Sequence, residues 1–253
     1  MGSVNIMRIL IIAASAFLAV ACAGPGLKDD TVSVTERSLL SGEALFGKAV
    51  ETTSIPDPGM FVLDDEMRAF VAEHVDGTRA ARERMRRLLS AMIESGLMSL
   101  DYDDAKTKTA RQTFHDRVGN CMSFTALFVA LAREAKLDVT FQTVEVPPIW
   151  YADSDLVILN NHVNALVKQN FGSRVVVDFN VTELKGEYET HEVSDEYALA
   201  LYFNNVAMDA LRHGNLEQSF RLLKKSIETY PDIAGNWANL GVIYSRSEED
   251  DYA

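Results

Sequence analysis

The stretch RVGNCMSFTALFVALAREAKLDV, residues 117–139, carries one of the two cysteines of the 253-residue chain. After Cys121, apolar residues recur three and four positions apart, at Phe124, Leu127, Phe128, Leu131, Ala132 and Ala135. Other apolar residues fill the opposite side, so the pattern predicts a helix that is buried over most of its circumference. A cysteine at the start of such a helix lies where exposed N–H groups and the helix dipole stabilise a thiolate.

Three segments that follow this helix are typical of β-strands. DVTFQTVEV alternates between two faces, and NNHVNALVKQ and SRVVVDFNV come after it. A short turn around residues 170–173 separates the last two segments, which predicts an antiparallel hairpin. Folding the chain about this turn places His162 close to Asp178 on the neighbouring strand.

A histidine beside a carboxylate on adjacent strands is held in a fixed orientation. If the helix carrying Cys121 packs its first turn against this face, the three side chains form a relay. Cys121 is then the nucleophile, His162 takes its proton, and Asp178 orients His162 and stabilises its charged form. Each residue also has a structural explanation taken singly, with Cys121 as a small buried side chain and His162 as a satisfied strand residue. The occurrence of all three residues in the order Cys, His, Asp along the chain favours the relay.

The segments GNCMSFTALFVALAREAKLDVTFQTVEV, NHVNALV and VVVDFN together resemble the transglutaminase-like superfamily, a papain-related fold. The resemblance covers roughly residues 100–185 and matches Cys121, His162 and Asp178 to the family's catalytic residues. It implies an α+β fold, with N-terminal helices and a central cysteine-bearing helix packed on an antiparallel sheet. Lys136 stands where such sequences commonly have Gly, so we expect either a left-handed lysine or a different helix cap.

The resemblance also implies a site that stabilises an oxyanion and a cleft that binds substrate. We expect the backbone N–H of Cys121 to be the first oxyanion donor, and a side chain between Gln112 and Asn120 to be the second. His115 is one candidate, because papain-like enzymes have a glutamine at the corresponding position. The predicted loop PPIWYADSD comes shortly before His162, and Trp150 and Tyr151 are its candidate substrate contacts.

The first 22 residues have the features of a secretory signal. Arg8 is their only charged residue, and the apolar stretch of about 13 residues that follows is too short to span a bilayer. The sequence AVAC ending at Cys22 resembles a bacterial lipobox, in which Cys22 is lipidated and becomes the mature N-terminus. Leu18 stands four positions before Cys22, where a lipobox usually has Leu three before. Plain cleavage and an uncleaved anchor are the alternatives.

Lipidation would attach the protein to the bacterial cell envelope. Ala23 follows the cysteine where an acidic residue would otherwise stand, which by analogy indicates the outer membrane, facing the periplasm. Cys121 would then be a lone thiol in an oxidising compartment, where cysteines are usually paired. A thiol left unpaired there is either buried and inert or retained for its chemistry.

The rest of the chain divides into three segments. Residues 23–60 are predicted to be a tether with one short helix around residues 38–50. Residues 61–190 form the transglutaminase-like domain, with one helix opening at Asp64 and a second helix capped by Thr78. The arginines of TRAARERMRR are predicted to be the solvent-exposed side of the second helix. Residues 195–253 form a C-terminal helical segment.

This C-terminal segment has an internal repeat with a 34-residue period. Phe203 falls on Trp237 and Val206 on Leu240, and WANLGVIY resembles the first helix of a tetratricopeptide repeat. The second repeat stops after one helix. Because one and a half repeats would be marginally stable alone, we expect them either to dock on the catalytic domain or to belong to a longer protein.

Composition excludes several classes of function. The net charge of −13 disfavours nucleic acid and anionic membrane as partners. The other histidines show no metal-ligand spacing, and the chain has no phosphate-binding glycine loop, so neither a metal nor a nucleotide cofactor is expected. Two functions remain. One is an envelope-located cysteine enzyme that acts on protein or peptide amide bonds through an acyl-thioester, and the other is an inactive scaffold whose repeats bind a protein partner.

Overall fold

The computed structural model describes residues 34–75, 77, 80–97, 101–102, 106–145, 150–153, 156–159, 162–169, 172–179 and 188–247. The predicted signal segment and Cys22 lie outside the described residues. None of the described helices combines the length and the apolar character needed to cross a membrane.

The described helices are α1 (Glu36–Ser41), α2 (Glu43–Phe46), α3 (Asp65–Val75), α4 (Ala81–Glu94), α5 (Ala110–Asp116), α6 (Cys121–Glu134), α7 (Asp195–Arg212), α8 (Leu216–Thr229) and α9 (Ala234–Ser245). The described strands are β1 (Asp101–Tyr102), β2 (Val118–Gly119), β3 (Asp138–Val144), β4 (Trp150–Asp153), β5 (Leu156–Leu159), β6 (His162–Lys168), β7 (Arg174–Val177) and β8 (Thr190–Val193).

The main sheet is antiparallel and has four described strands in the order β7-β6-β3-β8. The α+β class and the antiparallel sheet agree with the sequence prediction. The predicted hairpin is β6 paired with β7, in a register that places Ala165 opposite Val177. The sheet also contains β8, which the sequence pattern did not indicate. The sheet therefore continues to Val193, beyond the boundary expected at residue 190.

Helix α6 packs against β3 and β6 and is the centre of the core. All of its residues from Cys121 to Ala132 are buried, as the apolar pattern predicts. Lys136 ends the helix in the left-handed conformation, with φ 59°. The N–H of Leu137 closes this end by donating to the carbonyl of Ala132 at 2.9 Å. Of the two alternatives expected, a left-handed lysine or a different helix cap, the structure has the left-handed lysine.

Helix α4 differs at its start from the prediction. It begins at Ala81 with Ala80 at the N-cap position, whereas the predicted cap, Thr78, lies outside the described residues. Arg82, Arg86 and Arg87 are solvent-exposed as expected, and the last two pair with Glu83. Arg84 is instead half-buried and donates to the carbonyl of Lys136 at 2.9 Å.

Two local elements were not predicted. Helix α5 occupies part of the polar segment before Cys121, and Thr109 and Gln112 form a capping box at its start, a signature that is readable in the sequence. The predicted loop before His162 contains strands instead, since β4 and β5 pair with each other as a separate antiparallel ribbon. Aromatic and β-branched residues at 150–151 and 157–158 favour this pairing.

The C-terminal helices dock on the core formed around α6, which was one of the two arrangements expected. Ala198 and Leu201 of α7 belong to the same apolar core as α6. Arg133, near the end of α6, donates two hydrogen bonds to the carboxylate of Asp195, at 2.6 and 2.8 Å. Ser194 caps α7 by accepting from the N–H of Tyr197.

Residues 34–60, expected to be part of a tether, are instead packed in large part against the C-terminal helices. Val50 is 3% exposed and lies in one apolar cluster with Phe220 and Tyr244. The Tyr244 hydroxyl donates to the carbonyl of Leu39 at 2.7 Å, and the Lys224 ammonium donates to the carbonyl of Val50 at 2.7 Å. The apolar side chains of α1 and α2 supply the buried area that a free tether would lack.

This packing predicts a difference between two glycines that both have positive φ. A Cβ at Gly42 would lie 2.7 Å from a ring carbon of Phe220, whereas nothing lies within 4 Å of a Cβ at Gly47. Gly47→Ala should cost about 1 kcal/mol of unfolding free energy for the left-handed backbone alone. Gly42→Ala should cost roughly 1–3 kcal/mol more, because the ring must move. Urea denaturation measures both, and equal losses would show that this segment does not pack on α8.

Candidate active site

Cys121 is the first residue of α6, and its thiol is free and 6% exposed. Asn120 is the N-cap, and its side-chain oxygen accepts from the N–H of Ser123 at 3.1 Å. The N–H of Cys121 precedes the first internal hydrogen bond of the helix, so the helix itself does not use it. It is therefore a candidate donor to the oxyanion that forms when the sulfur attacks a carbonyl group.

A close backbone approach fixes this helix start. The hydroxyl of Ser123 accepts from the N–H of Lys108 at 2.8 Å, and the amide nitrogen of Asn120 donates to the hydroxyl of Thr107 at 2.7 Å. A Cβ on Gly119 would lie only 2.5 Å from the Cβ of Ser123, so no larger residue fits there without a shift. The segment before the cysteine is thus held tightly against the first turn of α6.

His162 and Asp178 meet on one face of the β6–β7 hairpin. The Nε2 atom of His162 lies 2.7 Å from Oδ2 of Asp178. Asp178 comes directly after the last residue of β7, and the register continues to place it opposite Asn164. The contact with His162 is therefore a diagonal one between adjacent strands, within the reach of these side chains. The side chains of His162 and Asp178 are 9% and 11% exposed.

Cys121 lies close enough to His162 to contribute, by hydrogen bonding and by charge, to the raised pKa of the ring. Since Nε2 faces Asp178, Nδ1 is the ring nitrogen that remains for the sulfur. Burial lowers the pKa of His162, but the hydrogen bonds and charges of Asp178 and Cys121 outweigh it and raise the pKa to about 9. The ring is then an imidazolium at neutral pH, between a carboxylate and a sulfur. Such a ring stabilises a thiolate and can protonate a leaving nitrogen.

The structure does not support His115 as an oxyanion donor. Its Nε2 lies 2.7 Å from Oδ2 of Asp64, and its Nδ1 lies 3.8 Å from a carboxylate oxygen of Glu66. The hydrogen bond to Asp64 raises the pKa of His115. Gln112 serves the capping box of α5, with its side-chain oxygen accepting from the N–H of Thr109 at 3.0 Å.

Sequence reasoning missed one contact of the site and left one expectation open. Asn164 donates through its amide nitrogen to Oδ2 of Asp178 at 3.1 Å. Its position two residues after His162 was the available signal, because it places both side chains on one face. Trp150 and Tyr151 lie in β4, but their side chains fall outside the described part of the chain.

The chain has limited similarity to individual known proteins. No curated protein matches the chain. One solved structure, a candidate cysteine protease from Cytophaga hutchinsonii, is 12% identical with a TM-score of 0.33. The match covers 55% of this chain and 54% of that one, so the chain spans about half the length of that structure.

A family model is more informative. The model of the transglutaminase-like superfamily matches residues 68–146, a range that runs from α3 through β3 and includes Cys121. His162 and Asp178 lie beyond the matched range, and the structure itself brings them to the cysteine. Residues 68–146 are thus similar to the transglutaminase-like superfamily.

Proposed function

We propose that the protein is a cysteine enzyme that breaks amide bonds through a thioester on Cys121. The observation that carries this proposal is the placement of His162 between Asp178 and Cys121 at the start of a buried helix. The family match supports the same chemistry, because it covers the cysteine-bearing helix. Nucleophile, base and orienting carboxylate are the components that covalent acyl transfer requires.

In the proposed reaction the Cys121 sulfur attacks an amide carbonyl, and the carbonyl electron pair moves onto oxygen. The backbone N–H of Cys121 stabilises this oxyanion. The C–N bond then breaks, and the leaving nitrogen takes a proton from His162, which leaves a thioester. An amine or a water molecule next attacks the thioester while His162 accepts its proton. The C–S bond then breaks, which releases a new amide or a carboxylic acid and restores the Cys121 thiolate beside the protonated His162.

The substrate we propose is a protein or peptide amide. The side chains of Trp150 and Tyr151 remain candidate contacts for it, since β4 precedes His162 in the chain. We further propose that α7, α8 and α9 are tetratricopeptide-type helices that bind a protein partner. The 34-residue period supports this, as does the burial of one member of each matched pair. Phe203, Leu240 and Tyr244 are buried, and their counterparts Trp237, Val206 and Ala210 are half-buried.

The pKa of His162 predicts how fast Cys121 reacts at each pH. Because the pKa is raised to about 9, the imidazolium persists from acidic pH to about 9 and is lost above it. Iodoacetamide should therefore alkylate Cys121 rapidly well below ~8.5, where an ordinary thiol titrates. His162→Ala should move the alkylation profile to that ordinary value. Mass spectrometry of the full chain carrying Cys22→Ser measures the alkylation of Cys121 alone. An alkylation profile that His162→Ala leaves unchanged would contradict the proposed enzyme function.

Substitutions at the site should separate the nucleophile from the group that orients the base. Cys121→Ala should abolish turnover, because no other group of the proposed site forms the thioester. Asp178→Asn should reduce kcat by a factor on the order of 10² to 10⁴ with little change in KM, since the imidazolium loses its counter-charge. The assay follows amine incorporation into, and ammonia release from, glutamine-containing peptides.

The matched control for that assay is Asp209→Asn, a carboxylate on α7 that pairs with Arg212 and His213. This variant should retain wild-type turnover. Full activity of Asp178→Asn would remove Asp178 from the reaction and leave Cys121 and His162 in it. Full activity of Cys121→Ala would contradict the proposed mechanism, and a folded wild type without turnover would favour the scaffold function.

We also propose that Cys22 is lipidated and anchors the protein to the cell envelope, at the outer membrane facing the periplasm. The sequence AVAC before a polar segment supports this. Wild type should partition into detergent, whereas Cys22→Ser should remain in the aqueous phase or unprocessed. Phase separation of whole-cell extracts measures the partition, and a fully water-soluble wild type would contradict lipidation.

A further inference from the structure

We propose that Asn164 is a positioning residue that holds the Asp178 carboxylate against His162. The proposal rests on the function proposed above, and it assigns a fourth member to that site. The Asn164 amide nitrogen donates to Oδ2 of Asp178 at 3.1 Å, and the same oxygen lies 2.7 Å from Nε2 of His162. One carboxylate oxygen therefore accepts from both side chains.

The hairpin register explains this convergence. His162 and Asn164 are two residues apart on β6, so their side chains leave the strand on the same face. Asp178 lies one residue beyond Val177, the last residue of β7, in line with Asn164. Asp178 thus stands past the last ladder pair of its strand, where side-chain contacts have more influence on its orientation. A charge-assisted donor from the paired strand restricts the rotation of this carboxylate.

The surroundings of Asn164 favour a role in the site over a role in stability. The side chain is buried, with 3% of the residue exposed. Its oxygen, Oδ1, is buried and has no hydrogen-bond partner among the described residues. A buried amide oxygen without a partner costs roughly 1–3 kcal/mol, so an apolar residue of similar size would suit the core better. An apolar residue at position 164 would lose the hydrogen bond to Asp178, which is therefore the contact that explains an asparagine there.

The charge environment of His162 is simple enough to detect this effect. The groups that act on the ring are Asp178, beyond the end of β7, and Cys121 on α6. On β3 the residue opposite His162 is Val144, and the next residue, Glu145, is exposed and pairs with His191 instead. A change in the orientation of Asp178 should therefore appear directly in the titration of His162.

The facing strand supplies a matched control. Gln142 lies directly across from Asn164 on β3, is 6% exposed, and also has a buried amide oxygen without a partner among the described residues. Its amide nitrogen donates to the hydroxyl of Thr190 at 3.0 Å, away from the site. Gln142→Ala thus removes a buried amide from the same sheet without touching Asp178.

The test is an NMR titration of the His162 ring in the full chain, together with iodoacetamide alkylation of Cys121 at neutral pH. In Asn164→Ala the midpoint for His162 should fall by about one pH unit, because Asp178 is no longer held at the ring. Alkylation near pH 7 should slow by roughly tenfold. Gln142→Ala should alter stability but leave both measurements at wild-type values.

An unchanged His162 titration in folded Asn164→Ala would overturn the positioning role. A reactive wild-type Cys121 in the same experiment would leave the proposed function standing. A wild-type Cys121 that reacts as an ordinary thiol would instead count against the proposed function. If the alanine variant does not fold, Asn164→Leu tests the same contact with a side chain of similar size. An equal shift in Gln142→Ala would also overturn the proposal, since the effect would then belong to the sheet as a whole.

Discussion

The burial of α6 is the constraint on which the rest of the structure depends. The helix is covered on nearly all sides, by β3 and β6 and by α3, α4 and α5. A helix in a closely packed core cannot slide or rotate without opening cavities, so the position of its first residue is fixed. The hydrogen bonds around Asn120 and Ser123 secure the same end. A nucleophile held in this way needs no reorganisation before it reacts.

The second requirement is that the polar side chains that enter this apolar region have partners there, and the amide oxygen of Asn164 is an exception among the described residues. His162, Asn164 and Asp178 form a connected set on the hairpin face that meets the cysteine. Burial acts against the charged form of His162, and its two partners reverse that effect. The placement of His162 beside both a carboxylate and a thiol carries the functional proposal, because a histidine satisfied only for structural reasons would not need both contacts.

The N-terminal and C-terminal segments form a second packed region beside the first. Residues 36–55 cover α8 and α9 with apolar side chains, and α7 belongs to the α6 core through Ala198 and Leu201. The bidentate contact between Arg133 and Asp195 joins α6 to α7 directly. The C-terminal helices are thereby attached near the end of α6 opposite to Cys121.

Local sequence by itself determined the elements whose pattern is strong. These are the buried helix after Cys121 and the β6–β7 hairpin. These features can be read from the period and spacing of the sequence, because each of them depends on residues that are close together in the chain. Only the tertiary structure decided the features that depend on distant contacts. The N-terminal segment packs because Phe220 and Tyr244 provide an apolar surface for it, and β8 pairs because β3 offers a free edge. His115 contacts Asp64, which lies just before α3 and 51 residues away in the chain. Asn164 belongs to both classes, since the period places it beside His162 while only the register of the folded hairpin brings it to Asp178.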